Sequence, residues 1–314
     1  MTGEPAQPRT GLLLVLGVAW LVAILWVAHA AIMADTLLAL TTAAIALPKV
    51  IVASVVAGAI AGLATVTMLA TRRPGLIGSV PARVGFALGA GLLTGGLGSV
   101  GILLAFGTQR SEATLAAAFA VAGALGGALG AVRPAVMAAA GLTAALGVLV
   151  IGFVLRLFQE QLLTLYGAGA DPASWESAGG YYLLTDALLG GLTAGLVAYW
   201  HLRGSQRGVE HPLRWPAYLI AGAAAGALLL LAEAITRIGG QPLLQLASSV
   251  SELDGVLLLD AGVARFKYGL AVFFLGAIAA MIAFGRTLPK RPRDTDDVVA
   301  VELQEPATAR STEG

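Results

Sequence analysis

Ionisable residues avoid the centres of this chain's long apolar stretches and gather near their ends. Spans are read at 11–33, 49–70, 84–107, 113–132, 134–157, 180–201, 215–236 and 265–285. Each is close to the roughly 20 residues that cross about 30 Å of hydrocarbon at 1.5 Å per residue. A backbone in lipid must bond within itself, so stretches of this kind are helices. The expected fold class is therefore all-α, a polytopic integral membrane helical bundle of about eight transmembrane helices.

Composition agrees. Of 314 residues, 58% are hydrophobic and 12% charged, and the mean hydropathy is +0.85. A soluble domain carries about twice that share of charge. A net charge of +1 and the lack of a basic stripe with interleaved aromatics exclude nucleic acid as a partner. With no cysteine, disulfides, thiolate catalysis and cysteine-ligated metal are excluded. Arginine outnumbers lysine, and alanine and glycine abound, a usage associated with GC-rich bacteria.

Arginine also orients the chain. One set of loops carries Arg72, Arg73, Arg83, Arg133, Arg203, Arg207 and Arg214, and Arg286, Lys290, Arg291 and Arg293 follow the last span. The opposite loops carry Asp35, Glu160, Asp171, Glu176, Glu252, Asp254 and Asp260. The positive-inside rule then places both termini in the cytoplasm of a bacterial inner membrane. Residues 1–10 and 289–314 read as disordered cytoplasmic tails. The first membrane half is 11–157 and the second 158–288. Leu12–Val27 followed by Ala28-His29-Ala30 also has the shape of a signal peptide. The apolar run continues through Met33, and the one preceding Arg is offset by Glu4, so the reading is a retained span.

The halves share a pattern. Gly58, Gly62 and Leu63 precede one basic loop, and Gly191, Gly195 and Leu196 another. Pro81-Ala82-Arg83 opens the third span and Pro212-Leu213-Arg214 the seventh, with Gly91 and Gly95 or Gly222 and Gly226 at equal distances beyond. A tandem 4+4 parallel repeat is expected, its boundary near 133, with a pseudo-two-fold axis along the membrane normal. Glycines four apart, Gly85/Gly89 and Gly126/Gly130 among them, should let backbones approach at a packed centre. The bulkier first, fifth and eighth spans should lie outside or line a cleft.

Charges inside spans are functional suspects. Asp186, Glu233, Lys49, Arg156, Lys267 and His29 all fall toward the end opposite the arginine loops, and they are the expected lining of an outward-facing polar cleft. Glu233 with Arg237 and Arg156 with Glu160 are four apart, so each pair is expected to share a helix face and satisfy itself. Asp186 has no opposite charge at that spacing. It needs a partner from another helix or water, which makes it the leading candidate. Lys49 and Lys267 can also snorkel to headgroups. No midplane carboxylate is present to carry a proton, which disfavours proton-coupled antiport.

Catalytic patterns are wanting. There is no HExxH, P-loop or GxSxG elbow, and His29, His201 and His211 are scattered over both sides. No catalytic, cofactor-binding or metal residue is assigned, and no cofactor is expected. Asp35, acidic in the first outer loop, resembles the placement in polyprenyl-dependent glycosyltransferases, though the chain is short for one. The segment between Gly239 and Ala264 reads as an amphipathic helix on the outer leaflet. Three functions remain: handling of a solute or lipid in the cleft, a non-enzymatic scaffold for membrane protein partners or a second copy, and a lipid-linked glycosyltransferase-like enzyme using Asp35.

Overall fold

The computed structural model describes residues 10–34, 39–106, 110–207, 213–241 and 252–287. The terminal tails, Asp35 and most of the loop after Gly239 lie outside the described residues. Among those described, the structure is helical, with eight helices long and apolar enough to span a bilayer. They are α1 (Thr10–Ala34), α2 (Ala39–Arg72), α3 (Val80–Phe106), α4 (Arg110–Gly130), α5 (Ala135–Leu157), α7 (Pro172–Ser205), α8 (Trp215–Gly239) and α9 (Glu252–Gly285). A short helix, α6 (Gln159–Leu165), follows α5, and a 3₁₀ turn, Pro74–Ile77, follows α2. We call the end bearing the Arg72, Arg133 and Arg203 loops the arginine end, and the other the far end.

Local chemistry sets the boundaries. Pro134 holds an extended backbone just before α5, so Arg133-Pro134 turns the chain between two spans. Pro172 occupies the first turn of α7, where no intrahelical N–H is needed. Ser174 secures that corner by donating to the Asp171 carbonyl at 2.6 Å and accepting from the Gly169 N–H at 2.9 Å. Pro48 sits inside α2 and supplies no N–H, leaving the helical carbonyl four residues earlier without its usual donor.

Three helices run further toward the far end than hydropathy predicts. α2, α7 and α9 have 34 residues each, or about 50 Å at 1.5 Å per residue. The stretch before Lys49 and the residues from Glu252 to Ala264 are thus parts of spanning helices. The expected surface helix between Gly239 and Ala264 is corrected over its second part, and the rest lies outside the described residues.

Glycine positions the core. α4 is wedged between α2 and α3, with Gly123 and Gly127 where the three backbones meet. A Cβ on Gly58 or Gly91 would overlap the Gly123 carbonyl, and one on Gly62 the Gly127 carbonyl. Two hydrogen bonds cross the wedge: Ser54 Oγ donates to the Phe119 carbonyl at 2.9 Å, and Ser99 Oγ to the Ala116 carbonyl at 2.6 Å. The second half repeats the plan. α9 is wedged between α7 and α8, and a Cβ on Gly195 or Gly222 would overlap the Gly276 carbonyl. α1 packs on α2 as α5 packs on α7.

Two packing expectations fail. α3 is peripheral: a Cβ on Gly85 or Gly89 would meet no atom of another helix within 4 Å, because their face of the helix has no neighbour among the described residues. The halves also do not meet about a two-fold axis. α2 packs on α5 and α8, and α4 on α8. The counterparts such an axis requires (α7 on α1 and α3, α9 on α3) are absent among the described residues. The halves join through unlike faces, which leaves a seam with a crevice at each end.

Candidate functional site

The far-end crevice is a cleft of about 300 Å³, at the small end of ligand sites. Both halves build it. α1 contributes Trp20 and Ile24, and α2 contributes Pro48, Lys49 and Val52. α5 supplies Gly152, Phe153 and Arg156; α7 supplies Leu183 and Asp186; α8 supplies Glu233 and Thr236; α9 supplies Arg265 and Tyr268. Gly152 lies about five residues from the end of α5 and Glu233 about six from the end of α8, which puts the cleft some 8–9 Å below those helix ends.

Four of the six residues expected from sequence therefore share one cleft: Lys49, Arg156, Asp186 and Glu233. Lys267 and His29 do not line it. Lys267 is exposed, two residues from Arg265 and so about 200° around the helix. His29 is half-buried on α1, beyond the turn that brings Trp20 and Ile24 to the wall. Asp35, on which the glycosyltransferase-like reading turns, lies outside the described residues.

The two carboxylates differ sharply. Glu233 is 5% exposed and held from both sides. Arg237 Nε donates to its Oε1 at 3.0 Å, and Arg265 Nε to its Oε2 at 2.9 Å. Arg237 also donates to the Gly262 carbonyl at 3.1 Å, which ties the end of α8 to α9. The i,i+4 pairing of Glu233 with Arg237 is as the sequence suggests. Arg265 was missed because its partner is 32 residues away. The available signal was a cation at the chemically acidic end of the bundle.

Asp186 has no such support. Its Oδ1 is shut off from solvent without a hydrogen-bond partner. Thr185 beside it bonds instead to the Tyr166 hydroxyl at 2.7 Å and to the Tyr181 carbonyl at 2.9 Å. A Cβ on Gly152 of α5 would come within 3.8 Å of Oδ1, so the carboxylate sits directly against that helix. Arg156 lies within electrostatic reach of both Asp186 and Lys49. The Arg156–Glu160 pair is corrected: among the described residues the ion pairs are those of Glu233. The helix breaks at Phe158 (φ −104°, ψ 15°), so Arg156 and Glu160 belong to different helices.

The cleft has an apolar rim. Trp20 and Phe153 meet edge to face at 6.3 Å. Phe153 and Leu183 are each about half exposed on the surface that faces lipid. Below the cleft, Val55, Ala144, Ala145 and Leu228 are buried in the main core and close it from the arginine end. The second crevice, about 270 Å³, lies beyond that partition and is walled by Leu129, Val132, Met137, Ile220 and Phe273 among other apolar residues. No group of histidine, cysteine or carboxylate residues suited to a metal ion occurs among the described residues. No family model, curated protein or solved structure matches the chain.

Proposed function

We propose that this multi-pass membrane protein takes a solute or lipid into the far-end cleft, and that the cleft faces the outside of a bacterial plasma membrane with both termini cytoplasmic. The carrying observation is Asp186: a carboxylate oxygen without a partner, in a cleft that also holds Lys49 and Arg156. A carboxylate oxygen shut from water without a hydrogen-bond donor is costly to keep below a membrane surface. A ligand with complementary groups offsets that cost each time it binds. The arginine-rich loops support the orientation. The apolar partition beneath the cleft supports access from one side.

Because the chain has no cysteine, single-cysteine labelling tests this cleanly. A Cβ on Gly152 would meet only the Asp186 carboxylate, at 3.8 Å, so a cysteine can be placed there at the cleft wall. A membrane-impermeant maleimide added to whole cells should label Gly152→Cys and leave Ala145→Cys, in the partition, unmodified. Labelling of Gly152→Cys only in inverted vesicles would reverse the orientation. No labelling from either side would remove the cleft as an access route.

One observation favours a second reading, a scaffold or homo-oligomer. α3 shows an open face with Gly85, Gly89, Gly96 and Gly101, beside Leu93 and Leu97 at 71% and 76% exposure. A second copy or another membrane protein could pack against it closely.

A further inference from the structure

We infer that the cleft recognises a zwitterionic headgroup, with a primary ammonium on Asp186 and a phosphate between Lys49 and Arg156. This rests on the cleft being a ligand site. Three observations carry it. First, the two acids are not equivalent. Glu233 has both oxygens engaged by arginines, so a ligand cation gains little there. Asp186 presents an acceptor closed to water and unmatched by any donor. A carboxylate in that state is best matched by a cation that also donates N–H, which supplies both the opposite charge and the missing hydrogen bond. A primary ammonium offers three N–H donors, a quaternary one none.

Second, the cations beside it are not consumed by protein acids. Lys49 and Arg156 are exposed side chains from α2 and α5, and neither forms an ion pair among the described residues. Two like charges in reach of one another favour an anion between them, and a guanidinium with an ammonium suits phosphate oxygens. The ligand then carries both signs, a cation for Asp186 and an anion for Lys49 and Arg156, which line the same cleft.

Third, the route in is lateral as well as aqueous. α1 and α7 flank the cleft, with α5 packed on both between them. Phe153 of α5 and Leu183 of α7, each about half exposed, give the cleft an apolar edge on the outer surface of the bundle. A headgroup with attached acyl chains could enter with its tails still in the bilayer. Free zwitterions of the same chemistry would come from the aqueous side.

The test uses the full chain purified in detergent, titrated with phosphatidylethanolamine, phosphatidylglycerol and phosphatidylcholine of matched acyl chains. Phosphatidylethanolamine should bind about tenfold tighter than either of the others. Asp186→Asn should erase that preference, and Arg156→Gln should weaken every phospholipid about tenfold. Equal or tighter binding of phosphatidylglycerol or phosphatidylcholine by the unmodified chain overturns the zwitterion inference. It does so even if a variant fails to fold, and it leaves the cleft standing as an anion site. If Arg156→Gln binds all three lipids like the parent, and Gly152→Cys is unlabelled, the cleft reading itself falls. Free phosphoethanolamine identifies the source: displacement of bound lipid supports recognition of the bare zwitterion, and no displacement supports a lipid-borne one.

Discussion

The two wedges of this bundle share a plan and differ in what fills it. In the first, α4 meets α2 and α3 through backbone: Gly58, Gly62 and Gly91 lie against glycine carbonyls of α4, and Gly123 and Gly127 against the carbonyls of Gly91 and Ala87. In the second, α9 meets α7 and α8 through backbone at Gly276, against Gly195 and Gly222, and at Phe273, against Gly226. Toward the far end, side chains intervene. Gly190 faces the Tyr268 hydroxyl, Gly191 faces Leu275 and Gly269 faces Leu230. The first wedge is shut along its length and pinned by Ser54 and Ser99. The second is held apart at the end where Asp186, Glu233 and Arg265 gather. Substituting side-chain spacers for backbone contact turns a packing seam into the wall of a cleft.

The largest expected effect comes from spoiling the shut wedge. Gly123→Leu puts a branched side chain where even a Cβ would strike Gly91 and Gly95 of α3. It should cost on the order of 3 kcal/mol, read as a lower midpoint of unfolding in denaturing detergent. The matching change in the open wedge, Gly269→Leu, meets the end of the movable Leu230 side chain and should cost visibly less. Equal losses would mean that the wedges are alike in rigidity. Next comes Glu233→Gln, which leaves Arg237 and Arg265 without their shared partner. Those arginines are 51% and 37% exposed, so the loss should be about 1–2 kcal/mol rather than that of a fully buried pair. The smallest effect belongs to the open face of α3. Gly85→Leu should shift stability by no more than about 0.5 kcal/mol in dilute detergent. A clear loss there, together with a smaller oligomer on size-exclusion chromatography, would show that this face is covered.

The bundle was legible in the sequence because bilayer thickness converts directly into a length of apolar chain. The tight turn at Arg133-Pro134 was legible because a proline and a charge leave a helix few alternatives. Helix overhang was not. Before Lys49 the chain stays largely apolar but Pro48-Lys49 reads as a boundary, and from Glu252 to Ala264 carboxylates interrupt the apolar run, so the reading stops where the helix does not. Glycine spacing was half-informative. It marks a face that can accept a backbone, but only the packing shows that Gly58 and Gly62 have one and Gly85 and Gly89 do not. At the cleft, membrane depth brought out Lys49, Arg156, Asp186 and Glu233. Rotation about the helix axis decided between Arg265 and Lys267, and a single charged residue near a span boundary does not specify it.

Pro48 carries a mechanical implication. The backbone of α2 lacks one rung immediately before the cation it sends into the cleft, while the glycine seam with α4 begins further down the same helix. Bending is cheapest at the missing rung. The missing rung thus marks the joint in the cleft's wall: above it α2 is tied to α9 through Ala44 and Leu258, and below it to α4 through glycine, so the two ends of one helix answer to different neighbours.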